Sequence, residues 1–194
     1  MGFGRIGQAL TKRCLGFEAN IYVYDPFVNK QIIETNKCNK IDFADGLGLA
    51  EFISVHVPLN KETKNLIAKE ELKQMKENCI LVNTARGGII NEKDLISHLK
   101  INKQFGVSLD VFNKEPLVKS HIFWTHPNVT VTPHIASITV IDSAIEQMHK
   151  RFLEYKKTGK INFNTRILVP KINKRFLGAR VARGPRVSPK RGAA

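Results

Sequence analysis

Five short apolar runs recur along the chain, separated by stretches whose apolar residues fall three or four positions apart. The runs are nearly continuous in β-branched and other apolar residues, which is typical of parallel strands buried on both faces. They predict strands at residues 21–24, 52–57, 80–82, 105–109 and 129–131.

The intervening stretches carry the spacing of an amphipathic helix. This spacing predicts helices at residues 5–17, 69–75, 91–100 and, with the clearest apolar stripe, 140–155. Strands that alternate with helices build a parallel sheet through right-handed crossovers. We therefore predict an α/β fold with a Rossmann-type, doubly wound parallel sheet.

Glycines at the start of the first predicted helix fit a phosphate-binding turn. Gly2, Gly4 and Gly7 match the pattern GxGxxG, in which glycines permit a tight turn and let the backbone approach a pyrophosphate. The helix that follows offers unpaired N–H groups and a favourable dipole to the phosphates. Because glycine-rich turns are common, the pattern alone leaves an ordinary structural turn open.

An acidic residue behind this turn supports a dinucleotide. Asp25 ends the first predicted strand at about the interval expected for a carboxylate that binds the adenosine ribose. A carboxylate there would repel the 2′-phosphate of NADP, so we predict NAD, with NADP less favoured. Two alternatives stay open: Lys30 could receive that phosphate, and Asp25 could merely cap the turn before Pro26.

Composition argues against several other kinds of protein. Cys14, Cys38 and Cys79 are far apart and lack CxxC spacing, so neither a disulfide framework nor a metal site is predicted. No apolar stretch reaches the roughly eighteen residues of a membrane span, and no export signal follows Met1. We expect a cytoplasmic protein with no membrane partner.

The net charge of +14 is concentrated at one end of the chain. Residues 161–194 hold nine basic and no acidic residues, which leaves +5 on the rest. Prolines, glycines and basic residues from position 166 onward predict a disordered tail. Such a tail would bind phosphates non-specifically at low salt, but no recognition motif points to a specific nucleic-acid partner.

Four sequence blocks resemble the D-isomer-specific 2-hydroxyacid dehydrogenases, the family of phosphoglycerate dehydrogenase and glyoxylate/hydroxypyruvate reductases. They are VHVPLNKET (55–63), LVNTARGGIIN (81–91), GVSLDVFNKEP (106–116) and VTVTPHIAS (129–137). Their order and spacing match the family, and the resemblance runs from Gly2 to about Phe152. It implies hydride transfer between NAD(H) and a small D-2-hydroxy acid or 2-oxo acid.

The resemblance also implies the catalytic residues. Arg86 would bind the substrate carboxylate and carbonyl, His134 would be the general acid/base, and Glu115 would hydrogen-bond His134. The chemistry agrees, because a planar guanidinium suits a carboxylate and a neighbouring carboxylate favours the protonated imidazole that reduction needs. Taken singly, each residue has an ordinary alternative. Arg86 could form a surface ion pair, Glu115 could be a solvated turn residue, and His134 could be a polar side chain with its hydrogen bonds satisfied.

Cofactor contacts follow from the same resemblance. Arg5 and Ile6 would approach the pyrophosphate, while Thr84, Asp110 and Ser137 would reach toward the nicotinamide and its ribose. Burying Asp110 in an apolar run would be costly without donors, and the carboxamide of nicotinamide could supply one. The alternative is that Asp110 is a partly exposed carboxylate at a strand end. The whole predicted cofactor set is Gly2, Gly4, Arg5, Ile6, Gly7, Asp25, Val57, Pro58, Thr63, Thr84, Ala85, Arg86, Asp110, His134 and Ser137, with Val57 and Thr63 on the adenosine side.

The sequence departs from the family pattern at both ends. Family members have a substrate domain and a first strand before the glycine turn, so we expect a fragment with a gap between the strands that precede Asp25 and Pro58. We divide the chain into an incomplete dinucleotide-binding domain (1–155), a turn segment (156–165) and the basic tail (166–194). Residues 166–194 match no part of the family pattern.

Two functions remain beside the weak nucleic-acid reading. The first is an oxidoreductase, expected to form a homodimer through the nucleotide-binding domain and to act on glyoxylate, hydroxypyruvate or phosphoglycerate. The second is a catalytically incompetent NAD-binding or dimerisation fragment of such an enzyme. Both share every motif named above, so the sequence alone does not separate them.

Overall fold

The computed structural model describes residues 1–137 and 141–159. The chain divides near residue 138 into two units, and each is described separately. The second unit contributes one described helix, α6 (Ile141–Thr158), close to the prediction for 140–155. The predicted basic tail lies outside the described residues, and so do residues 160–165 of the predicted turn segment, whereas residues 156–158 belong to α6.

The first unit alternates strands and helices as the sequence predicts. Its strands are β1 (Tyr22–Val23), β2 (Asn39–Lys40), β3 (Phe52–Val55), β4 (Ile80–Asn83), β5 (Gly106–Leu109) and β6 (Val129–Val131). Its α-helices are α1 (Arg5–Cys14), α2 (Lys30–Thr35), α3 (Phe43–Leu49), α4 (Lys69–Gln74) and α5 (Glu92–Ile101). All strand pairs are parallel, which confirms the α/β fold with a parallel, Rossmann-like sheet.

The strands form two sheets rather than one. Strands β1 and β2 pair with each other, and β3, β4, β5 and β6 form a second sheet in that order. The break falls between β1 and β3, which is where the sequence predicts a gap. Backbone groups bridge it at one end: Gly2 N donates to Tyr24 O at 2.9 Å, and His56 N donates to Met1 O at 2.9 Å.

The main core lies on one face of the four-stranded sheet. Alternate residues of the strands point into it because side chains in a strand alternate between the two faces. Ile53, Leu81, Val107 and Leu109 are buried there together with Leu95 and Leu99 of α5. Because the four strands are parallel, their carboxyl ends all reach one edge of the sheet.

Several element boundaries differ from the predictions for local reasons. Helix α1 stops at Cys14 and continues only as a 3₁₀ turn, Leu15–Phe17. Strand β3 ends at Val55, two residues early. Helix α5 starts one residue late because Asn91 is its N-cap, accepting hydrogen bonds from the first turn.

Three short elements were not predicted. Helix α2, strand β2 and helix α3 contain six, two and seven residues, too few to establish a clear periodicity.

Within the described part of the chain, no helix is long and apolar enough to cross a membrane.

Candidate functional site

Three neighbouring strands bring the predicted catalytic residues to one edge of the sheet. Arg86 follows β4, Glu115 lies in the loop after β5, and His134 follows β6. The loop origins are tied by backbone hydrogen bonds, from Asp110 N to Asn83 O at 3.0 Å and from His134 N to Asp110 O at 2.9 Å. Residues up to fifty positions apart in sequence are therefore held at adjacent strand ends.

Glu115 and His134 form a direct pair. The Nδ1 atom of His134 lies 2.7 Å from Oε2 of Glu115, and the other carboxylate oxygen accepts from Phe112 N at 2.9 Å. The hydrogen bond from His134, followed by that from Phe112, lowers the pKa of Glu115. Glu115 is therefore held as a carboxylate, and it fixes which nitrogen of His134 faces away from it. The Glu115–Pro116 peptide bond is cis.

The backbone of His134 is unusual for a residue with a side chain. Its φ is +54°, in the left-handed region that favours glycine. Asp110 holds this turn, because its carboxylate accepts from Ile135 N at 2.9 Å, from Ala136 N at 3.0 Å and from the hydroxyl of Thr132. The conformation that presents the imidazole thus depends on a carboxylate buried beneath it.

Asp110 is buried, with 2% of its surface exposed. Burial would raise the pKa of this carboxyl, but the hydrogen bonds from Thr132, Ala136 and Ile135 outweigh it, so the pKa is lowered. The alternative of an exposed carboxylate at a strand end is therefore wrong. The chain itself supplies the donors, so the burial of Asp110 no longer argues for a carboxamide partner.

The Arg86 turn is fixed by two neighbours. The buried side chain of Asn83 bonds to the backbone of Ala85 and Arg86. A Cβ at Gly87 would lie 1.9 Å from Phe112 O, so only glycine permits this close approach to the Glu115 loop. The Arg86 guanidinium is exposed and donates to Ala85 O at 2.6 Å.

The glycine turn fits a dinucleotide phosphate. Gly2 has a φ of +81°, and a Cβ at Gly7 would lie 2.4 Å from Gly2 O, so both glycines are required by the tight turn. A Cβ at Gly4 would meet nothing within 4 Å. The backbone at Gly4 is therefore open to a ligand, and it lies at the N-terminus of α1, where the helix dipole favours an anion.

Three further residues, Phe3, Arg5 and Ile6, complete this turn. Arg5 and Ile6, the predicted pyrophosphate neighbours, form the exposed first turn of α1. Phe3 is buried against Val23 and Ile33 and anchors the turn to the small sheet. Phe3 was not predicted from the sequence. The signal for it was a bulky apolar residue between two glycines, which indicates a side chain that is buried in a core.

The carboxylate of Asp25 holds the glycine turn and the turn that follows β1. Its carboxylate accepts from Phe3 N at 2.8 Å, from Phe27 N at 2.9 Å and from Val28 N at 3.2 Å. The turn-capping alternative is therefore realised in the structure. A carboxylate has about four acceptor positions, so one remains for a ribose hydroxyl.

Lys30, the alternative receptor for a 2′-phosphate, lies 3.5 Å from the carboxylate of Glu34 in an exposed i,i+4 pair. Such pairs are weak, because both side chains stay in water. The pair holds Lys30 loosely and does not decide between the two cofactors.

The loop after β3 carries Val57, Pro58 and Thr63. The hydroxyl of Thr63 lies 2.6 Å from Pro58 O, and Asn60 N donates to it at 2.9 Å. Thr63 thus closes its own loop, and any contact with adenosine falls to its methyl group. Asn65 N donates to Gly88 O at 2.7 Å, which ties this loop to the Arg86 turn.

The remaining predicted residues lie at the same edge. Thr84 and Ala85 are half-buried in the Arg86 turn, and Ser137 is exposed beyond the His134 turn. Reasoning from sequence missed Asn83, Gly87 and Thr132. The signal for Asn83 was a polar residue at the end of an apolar run, and the signal for Gly87 was a glycine pair directly after Arg86.

The chain is similar to known proteins of one family. The family model of the D-isomer specific 2-hydroxyacid dehydrogenase NAD binding domain matches residues 1–136. The chain is 42% identical over 139 residues to a D-3-phosphoglycerate dehydrogenase of Archaeoglobus fulgidus, covering 72% of this chain and 26% of that protein. It is 44% identical over 139 residues to a glyoxylate reductase of Thermococcus litoralis, covering 72% of this chain and 42% of that protein.

A solved structure shares the fold. The NAD-complexed D-isomer specific 2-hydroxyacid dehydrogenase of Lactobacillus delbrueckii ssp. bulgaricus is 29% identical, with a TM-score of 0.70 over 82% of this chain and 52% of that one. The chain thus spans from about a quarter to about half of the length of these proteins.

Proposed function

The chain belongs to the D-isomer-specific 2-hydroxyacid dehydrogenases through their NAD-binding domain, and on that premise we propose that it carries the residues for hydride transfer between NAD(H) and a small D-2-hydroxy acid or 2-oxo acid. The observation that carries this proposal is the contact of 2.7 Å between His134 and Glu115 at the strand edge that also presents Arg86. The proposed substrates are glyoxylate, hydroxypyruvate or phosphoglycerate in their 2-oxo or 2-hydroxy forms.

Arg86 supplies the fixed positive charge. Its guanidinium can donate two parallel hydrogen bonds to a carboxylate, which orients the neighbouring carbonyl as well as binding the anion. In the structure the guanidinium is exposed and donates a hydrogen bond to the carbonyl of the preceding residue, Ala85. We expect a change of side-chain rotamer to release the guanidinium toward a substrate.

His134 supplies the proton. When hydride adds to C2 of a 2-oxo acid, negative charge develops on the carbonyl oxygen, and a proton must arrive there. Glu115 occupies Nδ1, so Nε2 is the nitrogen that delivers the proton to the oxygen. In the oxidative direction the same Nε2 accepts the hydroxyl proton, and Glu115 stabilises the imidazolium that results.

The glycine turn would hold the dinucleotide. NADH held there would supply the hydride, and NAD would accept it in the reverse direction. The open backbone at Gly4 and the first turn of α1 would bind the pyrophosphate, and the remaining acceptor position of Asp25 would bind the adenosine ribose. The carboxylate of Asp25 supports a preference for NAD over NADP.

A binding and turnover assay tests the proposal. NADH is titrated into the 194-residue chain with Trp124 fluorescence as the signal, and its oxidation by glyoxylate and hydroxypyruvate is then followed at saturating NADH. We expect saturable binding and turnover of at least one of the two acids. Absence of NADH binding would contradict the proposal.

A second candidate is an NAD-binding or dimerisation module without activity of its own. The observation that favours it is coverage, since the chain spans only 26% and 42% of the two relatives described above. NADH binding with no turnover of any 2-oxo acid would select this candidate. A homodimer through the nucleotide-binding domain is proposed in either case, and light scattering during gel filtration measures it.

The division into residues 1–155, 156–165 and 166–194 is proposed on the same grounds, with the cofactor bound by the first part. A cytoplasmic location is also proposed. Limited proteolysis tests the division, because cleavage should concentrate beyond residue 155 and leave NADH binding intact.

A further inference from the structure

Asn83 is a buried polar residue that the catalytic proposal does not use. Its side chain has 1% of its surface exposed, at the carboxyl end of β4 and beside the hydrophobic core. An amide in such a place destabilises the fold unless its donor and acceptor are both satisfied. The partners that satisfy this amide therefore show what it does.

Both ends of the Asn83 amide bind the turn that follows it. Oδ1 accepts from Ala85 N at 3.0 Å, and Nδ2 donates to Arg86 O at 3.0 Å. A backbone N–H requires an acceptor and a carbonyl requires a donor, so the orientation of the amide is fixed by its partners. The carbonyl of Asn83 also accepts from Asp110 N.

We propose that Asn83 is a positioning residue that sets the direction in which Arg86 leaves the strand edge. This rests on the proposed function, in which Arg86 binds the substrate carboxylate. A side chain of this length must donate and accept at once to hold both backbone groups. An aspartate would keep the acceptor for Ala85 but would place a second oxygen against Arg86 O.

If the Asn83 hydrogen bonds are lost, the Arg86 turn has no room to shift toward the Glu115 loop on its other side. Gly87 lies against Phe112 O so closely that a Cβ would be 1.9 Å from it. Phe112 in turn is bonded to the carboxylate of Glu115. A displaced Arg86 turn must therefore move away from the Glu115–His134 pair, which separates the carboxylate-binding group from the proton donor.

The test compares Asn83→Asp with Asn128→Asp in the full chain. Asn128 is the matched control, because its Nδ2 also donates to a backbone carbonyl, Lys103 O, at 2.6 Å, outside the Arg86 turn. The first readout is the affinity of NADH-loaded protein for oxamate, an unreactive 2-oxo acid analogue. We expect about tenfold weaker oxamate binding in Asn83→Asp and no change in Asn128→Asp. NADH affinity should fall less than oxamate affinity in Asn83→Asp, because the glycine turn and Asp25 are unaffected, and should not change in Asn128→Asp.

The second readout needs no ligand. Backbone ¹⁵N order parameters of residues 84–88 should fall from about 0.85 toward 0.6 in Asn83→Asp, with those of β4 unchanged. A residue with a purely structural role would lower the melting temperature without loosening this turn selectively. If Asn83→Asp does not fold, Asn83→Ser removes the amide without adding charge and is judged by the same criteria.

The outcomes separate the two claims. If oxamate binds wild-type protein but not Arg86→Gln, the role of Arg86 stands, and unchanged binding and order parameters in the Asn83 variant overturn the positioning role. If oxamate does not bind wild-type protein, the proposed function fails, and the order parameters alone decide whether Asn83 fixes the turn.

Discussion

The two sheets support the two halves of the proposed site very unequally. The small-sheet region, residues 1–50, has two strands of two residues and a separate cluster of four buried residues, Phe3, Val23, Ile33 and Cys38. Leu47, near the end of this region, packs into the larger cluster instead. The large-sheet region, residues 51–137, has four paired strands over a cluster that includes fully buried Val55, Leu81, Leu95 and Phe105. Because burial of apolar surface is the main stabilising contribution, the large-sheet region should be the more stable one.

The difference separates the proposed cofactor turn from the proposed catalytic turns. The glycine turn and Asp25 lie in the small-sheet region, whereas Arg86, Glu115 and His134 lie in the large-sheet region. The catalytic turns are built on a stable sheet and further fixed by buried Asn83 and Asp110. We infer that the cofactor turn is held more weakly before the dinucleotide binds, and that binding stabilises it.

The largest expected effect is on catalysis in the large-sheet region. His134→Gln removes the proton donor, so turnover of glyoxylate or hydroxypyruvate should fall about 10³-fold. NADH affinity should fall far less than turnover, because the glycine turn and Asp25, which would hold the pyrophosphate and the adenosine ribose, lie in the other region. A parallel loss of NADH affinity in this variant would show that the two regions do not act separately.

The next effect compares the two cores. Leu81→Ala should lower the free energy of unfolding by about 3 kcal/mol and destabilise the whole first unit. Ile33→Ala removes a side chain of similar size from the small cluster and should instead open the small-sheet region locally. Urea unfolding and amide hydrogen exchange measure the difference. Equal global losses in both variants would contradict the comparison.

Two glycine substitutions sharpen the account of the cofactor turn. Gly7→Ala places a methyl group 2.4 Å from Gly2 O and should distort the turn even without ligand. Gly4→Ala meets no protein atom within 4 Å, so it should leave the turn intact and interfere only with the phosphates. NADH affinity should fall about tenfold or more in both, which is ~1.4 kcal/mol, while the melting temperature falls only in Gly7→Ala. Full NADH affinity in Gly4→Ala would rule out a phosphate at this position.

The smallest effect is a dependence of stability on acid. The pKa values of Glu115 and Asp110 are both lowered in the folded chain, for Glu115 by the hydrogen bond from His134. The unfolded chain therefore binds more protons, so the stability from these groups is complete above the unfolded pKa, near 4, and is lost as pH falls through the lowered values. Hydrogen exchange at decreasing pH should show the catalytic edge losing protection, and Glu115→Gln should reduce this dependence.

The sequence predicted the large-sheet region better than the small-sheet region. Strands β4, β5 and β6 are dense apolar runs that are followed directly by motif residues, so pattern and motif agree. Helices α2 and α3 and strand β2 are short and partly polar, so their conformation depends on tertiary packing that no local pattern records. The predicted gap between β1 and β3 followed from strand order and is confirmed.

The predicted site residues were identified by motif. The motif did not identify the residues that hold the site turns in place. Gly87 is required by a contact with Phe112, which lies 25 residues further along the chain. Thr132 acts through a hydrogen bond to Asp110 at the end of the neighbouring strand. These two contacts depend on which strands lie side by side, and a single sequence specifies that only through the fold. Asn83 acts through hydrogen bonds to the backbone of the turn that directly follows it.

The most direct test of the account is a single-turnover reaction with deuterated NADH and hydroxypyruvate, with the product analysed for isotope and configuration. If Arg86, Glu115 and His134 act on a 2-oxo acid beside a dinucleotide held by the glycine turn, the product is D-glycerate with deuterium at C2, and His134→Gln slows its formation about 10³-fold. Bound NADH with no labelled product, or equal rates in wild-type protein and His134→Gln, would contradict the account.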